Sequence, residues 1–506
     1  MTDRLTAGER RASLALALAR ILAAVDVGAL SVAVPTIQDD LGVPLSDLQW
    51  AAAVFPIGYA ATSIPGGALA DRFGRRRIYL IGIGVFAGGA LLGSLAQGAE
   101  LLTAGRAIQG VGSGLAQPSS LALLATVVHR DRLSRAVAMR SGASAAGTAA
   151  GPLVGAVLVA LLGWRSVLWT SIPVAVVAAV AAVRVVGESR ARQRRAVDWF
   201  GAVLVAAAVT LFCKGAIDLG EDGGWAAGLL VGLGLLAGAG FVLRLATARV
   251  PLVDPRALRR RPVPLALAVG LTVTLALTGA LFLQQVVAQS VIGLSPLTAG
   301  LLSIPITVLF IVGTAAAPRS TKRFGLARVT ATGLFLGAVG LGVLATISET
   351  GVVQLAVGDV VLGLGLGLAL PGLWAAALAG APEDDRGAVS GGLGLAQHLG
   401  QAIGVAAFAA LTAAVTTLAW RASSVPAGQQ DALLTEVLAG DVDAVSAQAG
   451  PGVAQIAGES FLRGNTVACL VGAVVLVVVA IVALRRASAG TAGGQPPIGP
   501  MEGEKV

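Results

Sequence analysis

The hydrophobic positions of this chain fall in long unbroken runs, and those runs recur from one end of the sequence to the other. They lie near 14–35, 48–69, 78–97, 101–123, 136–161, 165–186, 199–218, 226–246, 263–289, 297–317, 329–348, 353–377, 388–414 and 464–484. Each is close to the roughly 20 residues that a helix needs to cross the hydrocarbon core of a bilayer. Lipid offers the backbone no partner, so runs of this length are expected as helices that satisfy their own amides and carbonyls. The pattern predicts an all-α integral membrane protein of fourteen spans, and an even count puts both termini on one side.

The polar residues between the runs say which side. Arg72 with Arg75–Arg77, Arg130 with Arg132 and Arg135, and Arg190 with Arg192, Arg194 and Arg195 occupy alternate loops. Arg256 with Arg259–Arg261, and Arg319 with Lys322, Arg323 and Arg328, continue the set. The intervening loops carry acids instead: Asp39, Asp40 and Asp47, then Glu100, then Asp218, Glu221 and Asp222, then Glu349. Basic loops stay in the cytoplasm, so both termini are expected there, in a cytoplasmic membrane. The longest loop, about 415–462, then falls outside, where 429–448 is either a short amphipathic surface helix or a tolerated insertion. The tail over 485–506 is rich in Gly, Pro and Ser and is expected to be disordered.

Composition agrees with this class and excludes others. Of 506 residues, 56% are hydrophobic and only 12% charged, too apolar for a soluble surface. The net charge of +9 is spread over short loops, which marks topology rather than nucleic-acid binding. Cys213 and Cys469 sit in separate apolar runs, and His129 and His398 are the only histidines, so neither disulfide nor metal site is expected. No phosphate-binding loop is present, so neither an enzyme nor an ATP-driven pump is expected, and no cofactor. The basic residues before the first run imitate a signal peptide. That run is too long, contains Asp26 and lacks a cleavage site, so it reads as a retained helix.

A few polar side chains stand inside the runs, where burying a charge costs at least about 3 kcal/mol unless it is paired or neutralised. Asp26 lies deep in the first run. A carboxyl buried in apolar surroundings exchanges protons near neutral pH, as a proton carrier must, although an acid paired with a neighbouring helix for packing gives the same pattern. Arg106 begins the fourth run and either tunes a nearby acid or snorkels toward Glu100. Asp359 and His398 are the titratable groups at membrane depth in the second half. Gln284, Gln285 and Gln289 interrupt the ninth run, where substrate contact and interhelical hydrogen bonding fit equally. Trp50, Phe55 and Tyr59 offer aromatic wall for a large apolar ligand, with Trp50 also suited to the membrane interface. Gly147, Gly151 and Gly155 leave one stripe of a helix bare for close packing, and Pro152 removes a hydrogen bond that would keep it straight.

Several of these stretches together resemble the major facilitator superfamily, in its fourteen-helix drug:proton antiporter branch. Gly67 to Arg77 resembles the loop between that superfamily's second and third helices. Arg106-Ala107-Ile108-Gln109-Gly110 is similar to its fourth-helix arginine motif, and Gly147 to Ala156 to the fifth-helix motif of its antiporters. Leu22 to Asp26 with Ala33-Val34-Pro35, Gly163-Trp164-Arg165, Asp198 to Gly201, and Gly293 to Pro296 with Ala299-Gly300 fit the same branch.

The resemblance implies a 6+2+6 architecture. A cytoplasmic N-terminus (1–13) precedes one six-helix bundle (14–186), two added helices with linkers (187–262) and a second bundle (263–484). A substrate would bind near the midplane and be exposed alternately to each side. It implies proton-coupled efflux of a hydrophobic drug-like or antibiotic compound by a monomer in the lipid bilayer, with protons and substrate as its partners. A solute-uptake symporter of the same fold and a non-transporting sensor or scaffold are the alternatives. Proton coupling would fall to Asp26, Arg106, Asp359 and His398, and Gln109 would join the cavity candidates. A conformational latch would consist of Gly67, Asp71, Gly74, Arg75 and Arg135, with Asp71 suited to the third helix's N-terminal dipole and free to pair with Arg75 or Arg135. Two departures stand out: Pro318 to Gly325 lacks an acid where the first loop has Asp71, and His398 stands where many relatives carry an acid.

Overall fold

The computed structural model describes residues 5–190, 198–221, 223–248, 251–252, 255–260, 262–348, 350–381 and 386–491. Within these, the side chains of 130, 131, 133–135, 137, 138, 141–146, 148, 149, 257, 379, 386–388 and 486–491 lie outside the description, so the expectation for Arg135 falls there too. The tail expected to be disordered over 485–506 is helical as far as Thr491, where it continues the helix Pro451–Thr491, and beyond 491 it lies outside the described residues.

The described residues form helices without a strand. In chain order they are α1 (Ala7–Leu41), α2 (Leu45–Phe73), α3 (Arg75–Ser94), α4 (Ala99–Val127), α5 (Arg130–Leu162), α6 (Arg165–Trp169) and α7 (Ser171–Val185). Next come α8 (Trp199–Glu221), α9 (Trp225–Thr247), α10 (Pro255–Arg259), α11 (Val263–Val286), α12 (Pro296–Leu302) and α13 (Ile304–Phe324). The chain closes with α14 (Leu326–Leu344), α15 (Val352–Ala379), α16 (Arg386–Arg421), α17 (Ala427–Ala432), α18 (Leu434–Ala439), α19 (Val442–Ala449) and α20 (Pro451–Thr491). Local chemistry sets several ends. Thr6 and Glu9 form a reciprocal cap at the start of α1, which stops at Gly42 in the left-handed conformation. A π-turn over Val287–Val291 extends α11, and Ser295 followed by Pro296 starts α12.

Among the described residues, twelve helical segments are long and apolar enough to cross a membrane, with α6–α7 and α12–α13 each counting as one. The two expected spans outside that twelve are α4 and α5, helices of 29 and 33 residues. Both are long enough, but α4 carries Arg106, Gln109 and Gln117, and only Ala150–Leu162 of α5 is apolar throughout. The outer belt is apolar: Val176, Val177, Leu235, Leu236, Val474 and Val478 are all exposed, as lipid-facing side chains are.

Helix packing repeats along the chain. In the first half α1 packs on α5, and α4 lies between α2 and α3; in the second half α11 packs on α16, and α15 lies between α13 and α14. Helix α8 packs on α9, α2 and α16, while α9 has little cover beyond α8. The segment between α16 and α20 holds three short helices rather than one surface helix. They enclose Trp420, Val425, Leu433, Val437 and Val445, with the Trp420 indole N–H donating to Gln430 O at 3.0 Å.

Candidate functional site

Asp26 and Arg106 meet in the interior of the first half. The guanidinium Nη1 donates to Asp26 Oδ2 and, at 2.9 Å, to Gln109 Oε1; Gln109 Nε2 donates back to Asp26 Oδ1 at 3.2 Å. Both charged side chains are essentially inaccessible, at 0% and 1% exposure. Arg106 and Gln109 are three residues apart on α4 and so share a face toward α1. The Arg106 guanidinium also lies over the Phe55 ring, 4.6 Å from its centroid. A pair this deep is held by geometry rather than by a net Coulomb gain, and removing one partner strands the other charge at a cost of about 3–5 kcal/mol.

The bare stripe of α5 places α1 at this site. A Cβ on Gly147 would lie 3.0 Å from Ile21 O, on Gly151 2.9 Å from Val25 O, and on Gly155 2.5 Å from Ala29 Cα. These contacts climb α1 on both sides of Asp26, so backbone rather than side chain sets that helix's distance. Pro152 fits against Gly28 and reaches the central cavity.

That cavity, of about 140 Å³, lies between the two halves. Helix α1 contributes Arg20, Val27 and Ser31; α2 contributes Phe55, Pro56 and Tyr59; α4 contributes Arg106. From the other half come Thr274, Thr278, Leu281 and Phe282 on α11 and His398, Gln401 and Val405 on α16. Asp26 is not on the wall: Arg106 stands between it and the cavity. The rings of Tyr59 and His398 meet across the interface with centroids 3.5 Å apart, and His398 Nδ1 lies 2.8 Å from Gln401 Oε1.

The other candidates lie elsewhere. Trp50 packs with Val209, Cys213 and Ala402 between α2, α8 and α16. Gln109 is behind the wall with Asp26. Gln285 donates to Ala299 O at 3.3 Å and to Ser303 Oγ, and Gln289 donates to Val32 O at 3.0 Å, so these amides tie α11 to α12 and α1. Asp359 is buried on α15, facing Gln284 of α11 without a hydrogen bond of regular geometry. Its Oδ1 and both polar atoms of Gln284 are unpartnered.

The loop at Gly67 to Arg77 is arranged differently from expectation. Asp71 lies in the last turn of α2, not at the head of α3, and accepts from Arg75 Nε at 3.0 Å and Nη2 at 2.8 Å. The α3 N-terminus is capped instead by Glu188, which follows α7. Its oxygens accept from Arg76 N at 3.0 Å and Arg77 N at 3.1 Å. Gly74 joins the two helices at φ +116°, and a Cβ there would lie 2.8 Å from the Glu188 carboxyl carbon, so only glycine fits. Gly67 faces Pro118 of α4.

Sequence reasoning passed over Arg20 and Arg140, although each is a cation inside an apolar run, the same signal that singled out Asp26. Arg140 on α5 is buried, donating through Nη2 to Gln117 Oε1 at 2.8 Å, Ser120 Oγ at 2.9 Å and Gln117 O at 3.2 Å, with Nε unpartnered. It also passed over a glycine register. Gly105, Gly110, Gly112 and Gly114 of α4 recur with the same spacing as Gly358, Gly363, Gly365 and Gly367 of α15. A Cβ on Gly110 would sit 2.2 Å from Phe55 O on α2, and one on Gly363 2.0 Å from Ile306 O on α13. In this register Asp359 takes the place of Arg106.

The sequence profile of the Major Facilitator Superfamily matches residues 16–405. A tetracenomycin C resistance and export protein of Streptomyces glaucescens is 32% identical over 491 residues, covering 93% of this chain and 90% of the relative. The multidrug efflux pump LfrA of Mycolicibacterium smegmatis is 31% identical, over 77% of this chain and 78% of that one. Among solved structures, a bacterial homologue of the human lysosomal transporter Spinster, inward-facing and unoccupied, superposes with a TM-score of 0.69 at 17% identity, covering 95% of this chain and 98% of that one. Twelve segments among the described residues long and apolar enough to cross a membrane, a polar site enclosed between two similarly packed halves, and these likenesses agree: the chain is a multi-pass membrane protein that belongs to the major facilitator superfamily, among relatives that export drugs and antibiotics.

Proposed function

We propose that this protein exports a hydrophobic, drug-like or antibiotic compound across the cytoplasmic membrane in exchange for protons. The observation that carries the reading is the buried Asp26–Arg106 pair, set directly behind the wall of the central cavity. With Asp26 ionised, the Arg106 guanidinium at the cavity wall is bound to its two acceptors behind that wall. A proton on Asp26 removes that counter-charge, and the guanidinium, which does not deprotonate, turns toward cavity water. A hydrated cation beside Phe55 and Leu281 displaces an apolar ligand, so proton and substrate exclude one another. Loss of the proton on the other side restores the pair and the apolar wall. Each proton moved inward carries about 2.3 kcal/mol per 100 mV of membrane potential, enough for more than a tenfold gradient.

The reading extends to architecture. On this reading α4 and α5 join the twelve apolar segments as fourteen spans arranged 6+2+6, with α8 and α9 as the added pair and both termini cytoplasmic; the repeated helix packing supports the division. Asp359 is a second proton-coupling candidate, but it is not among the residues that line the cavity. The test is transport by Asp26→Asn in inside-out vesicles with an acidic lumen. Substrate uptake should fall at least about tenfold, the loss expected when a charged partner is removed. Export against a gradient at the unaltered rate would sink the assignment.

A further inference from the structure

Between α11 and α15, two side chains that face each other leave three buried polar atoms without a hydrogen-bond partner. The atoms are Asp359 Oδ1, Gln284 Oε1 and Gln284 Nε2. Both side chains are closed off from solvent, at 2% and 4% exposure, and neither residue lines the central cavity. Orphaned atoms at this depth are rare, and each calls for a partner that suits its chemistry.

Charge narrows the choice. Helix α11 carries no ionisable side chain, and Asp359 is the only one on α15. Helices α13 and α14, which pack on α15, carry theirs at the far end, as Arg319, Lys322 and Arg323, and as Arg328. Ile306 O lies against Gly363 and Leu344 against Gly358, so those cations are more than about 20 Å away along the helix axes. Helix α10, with Arg256 and Arg259, meets the opposite end of α11. Helix α16 carries His398 on the cavity wall, with Arg386 and Arg421 as its end residues. Helix α20 carries Glu459, Arg463 and Arg485, all exposed, and the buried Cys469, while α1 carries Arg20 on the cavity wall and Asp26 paired with Arg106. Among the described residues an ionised Asp359 would therefore be a bare charge in the membrane interior, which is costly.

A proton supplies what is missing. When a protonated carboxyl meets a carboxamide, the acid O–H donates to the amide oxygen and an amide N–H donates to the acid carbonyl. That reciprocal pair satisfies all the orphaned atoms and leaves no charge, and rotation about the soft terminal torsions of the two side chains closes it. A hard cation fits less well: it takes about six oxygen ligands, and these two side chains offer about half that many.

The pair stands at a joint between the halves. Gln284 is in the last turn of α11, directly before the π-turn Val287–Val291, a feature found frequently at functional sites. Within that turn Gln289 donates to Val32 O of α1 at 3.0 Å, which ties the second half to the first. We propose that Asp359 and Gln284 form a proton-binding clasp: Asp359 carries a proton, pairs with Gln284 as acid with amide, and so fixes the base of the π-turn against α1. Release requires α11 and α15 to part, so that water takes the carboxyl proton and hydrates the carboxylate left behind. The clasp closes at low pH and loosens as pH rises. It goes beyond the export reading, since it needs no substrate.

The experiment uses the full chain in lipid nanodiscs. Infrared spectra at neutral pH should contain the carbonyl band of a protonated carboxyl. That band should be absent from Asp359→Asn and move to higher frequency in Gln284→Leu, where the amide partner is gone. A wild-type spectrum with carboxylate bands alone overturns the inference, whether or not either variant folds. A band that appears only when choline replaces sodium reveals a cation site and overturns it too. The link to the π-turn is read by adding Val32→Cys and following its labelling by N-ethylmaleimide, with the chain lacking that cysteine as background. Asp359→Asn keeps an amide–amide pair that no pH releases, so its labelling rate follows the titration of the thiol alone. With Asp359 present, the rate should rise about tenfold more over the same pH range, the change that one hydrogen-bonded contact supports. Equal slopes overturn the hold of the clasp on the π-turn. If band and labelling behave as expected while no compound moves in response to a proton gradient, the export reading fails alone.

Discussion

Helices α4 and α15 share a scaffold and differ in chemistry. Their four glycines keep one spacing, and the last three of each set meet backbone atoms of α2 and α3 in one half and of α13 and α14 in the other. One residue after the first glycine, α4 carries Arg106 and α15 carries Asp359. Arg106 has a counter-charge on α1, an amide on its own helix and an aromatic face. Asp359 has a neighbouring amide on α11 and an unpartnered oxygen. Close helix approach in lipid tolerates little variation, because packing is the main force available there. The polar residue carried into that packing is free to differ between halves, and among the described residues the ion pair beside the cavity belongs to the first half.

The largest expected effect separates the two acids. Asp26→Asn leaves the buried Arg106 cation without its counter-charge and should cost about 3–5 kcal/mol of stability. Asp359→Asn replaces a buried acid that has no cationic partner among the described residues and should be neutral or mildly stabilising. Thermal unfolding in detergent measures both, and equal losses would erase the distinction between the halves.

The scaffold should respond symmetrically. Gly110→Ala and Gly363→Ala each put a Cβ against a carbonyl oxygen, at 2.2 and 2.0 Å before relaxation, so each should cost about 1–3 kcal/mol. A twofold difference in cost between them would show that the shared register is not a shared constraint. Smaller effects belong to the loop after α2. Glu188→Gln weakens the cap of α3 and should cost about 1 kcal/mol. Asp71→Asn removes a partly exposed pair worth less than about 1 kcal/mol, yet it should slow turnover more than it weakens ligand binding. The corresponding turn at Gly325 has no acid, so changes there should leave turnover nearly untouched. Equal sensitivity at both turns would remove the one-sided character of the latch.

Much of the site was legible because lipid makes polar residues conspicuous. Asp26, Arg106 and His398 stand out as polar atoms in apolar runs, and the structure places all three at or directly behind one cavity. The same reasoning applied to Arg20 would have added another residue of the cavity wall. Glu188 was not legible: it lies beyond α7, 112 residues from the Arg76 amide it accepts from, and nothing local marks it. Gln285 and Gln289 were left between two roles, and their contacts with α12 and α1 now account for their amide donors.

By itself, the sequence determined that the chain is helical and crosses a membrane many times, because these follow from hydrocarbon thickness and backbone hydrogen bonding alone. Only the tertiary structure decided which buried charges meet. Asp26 and Arg106 are 80 residues apart, and a glycine stripe on a third helix sets α1 beside them. Partner choice among buried charges depends on distances of a few ångströms between helices, and no run of residues along the chain encodes such a distance.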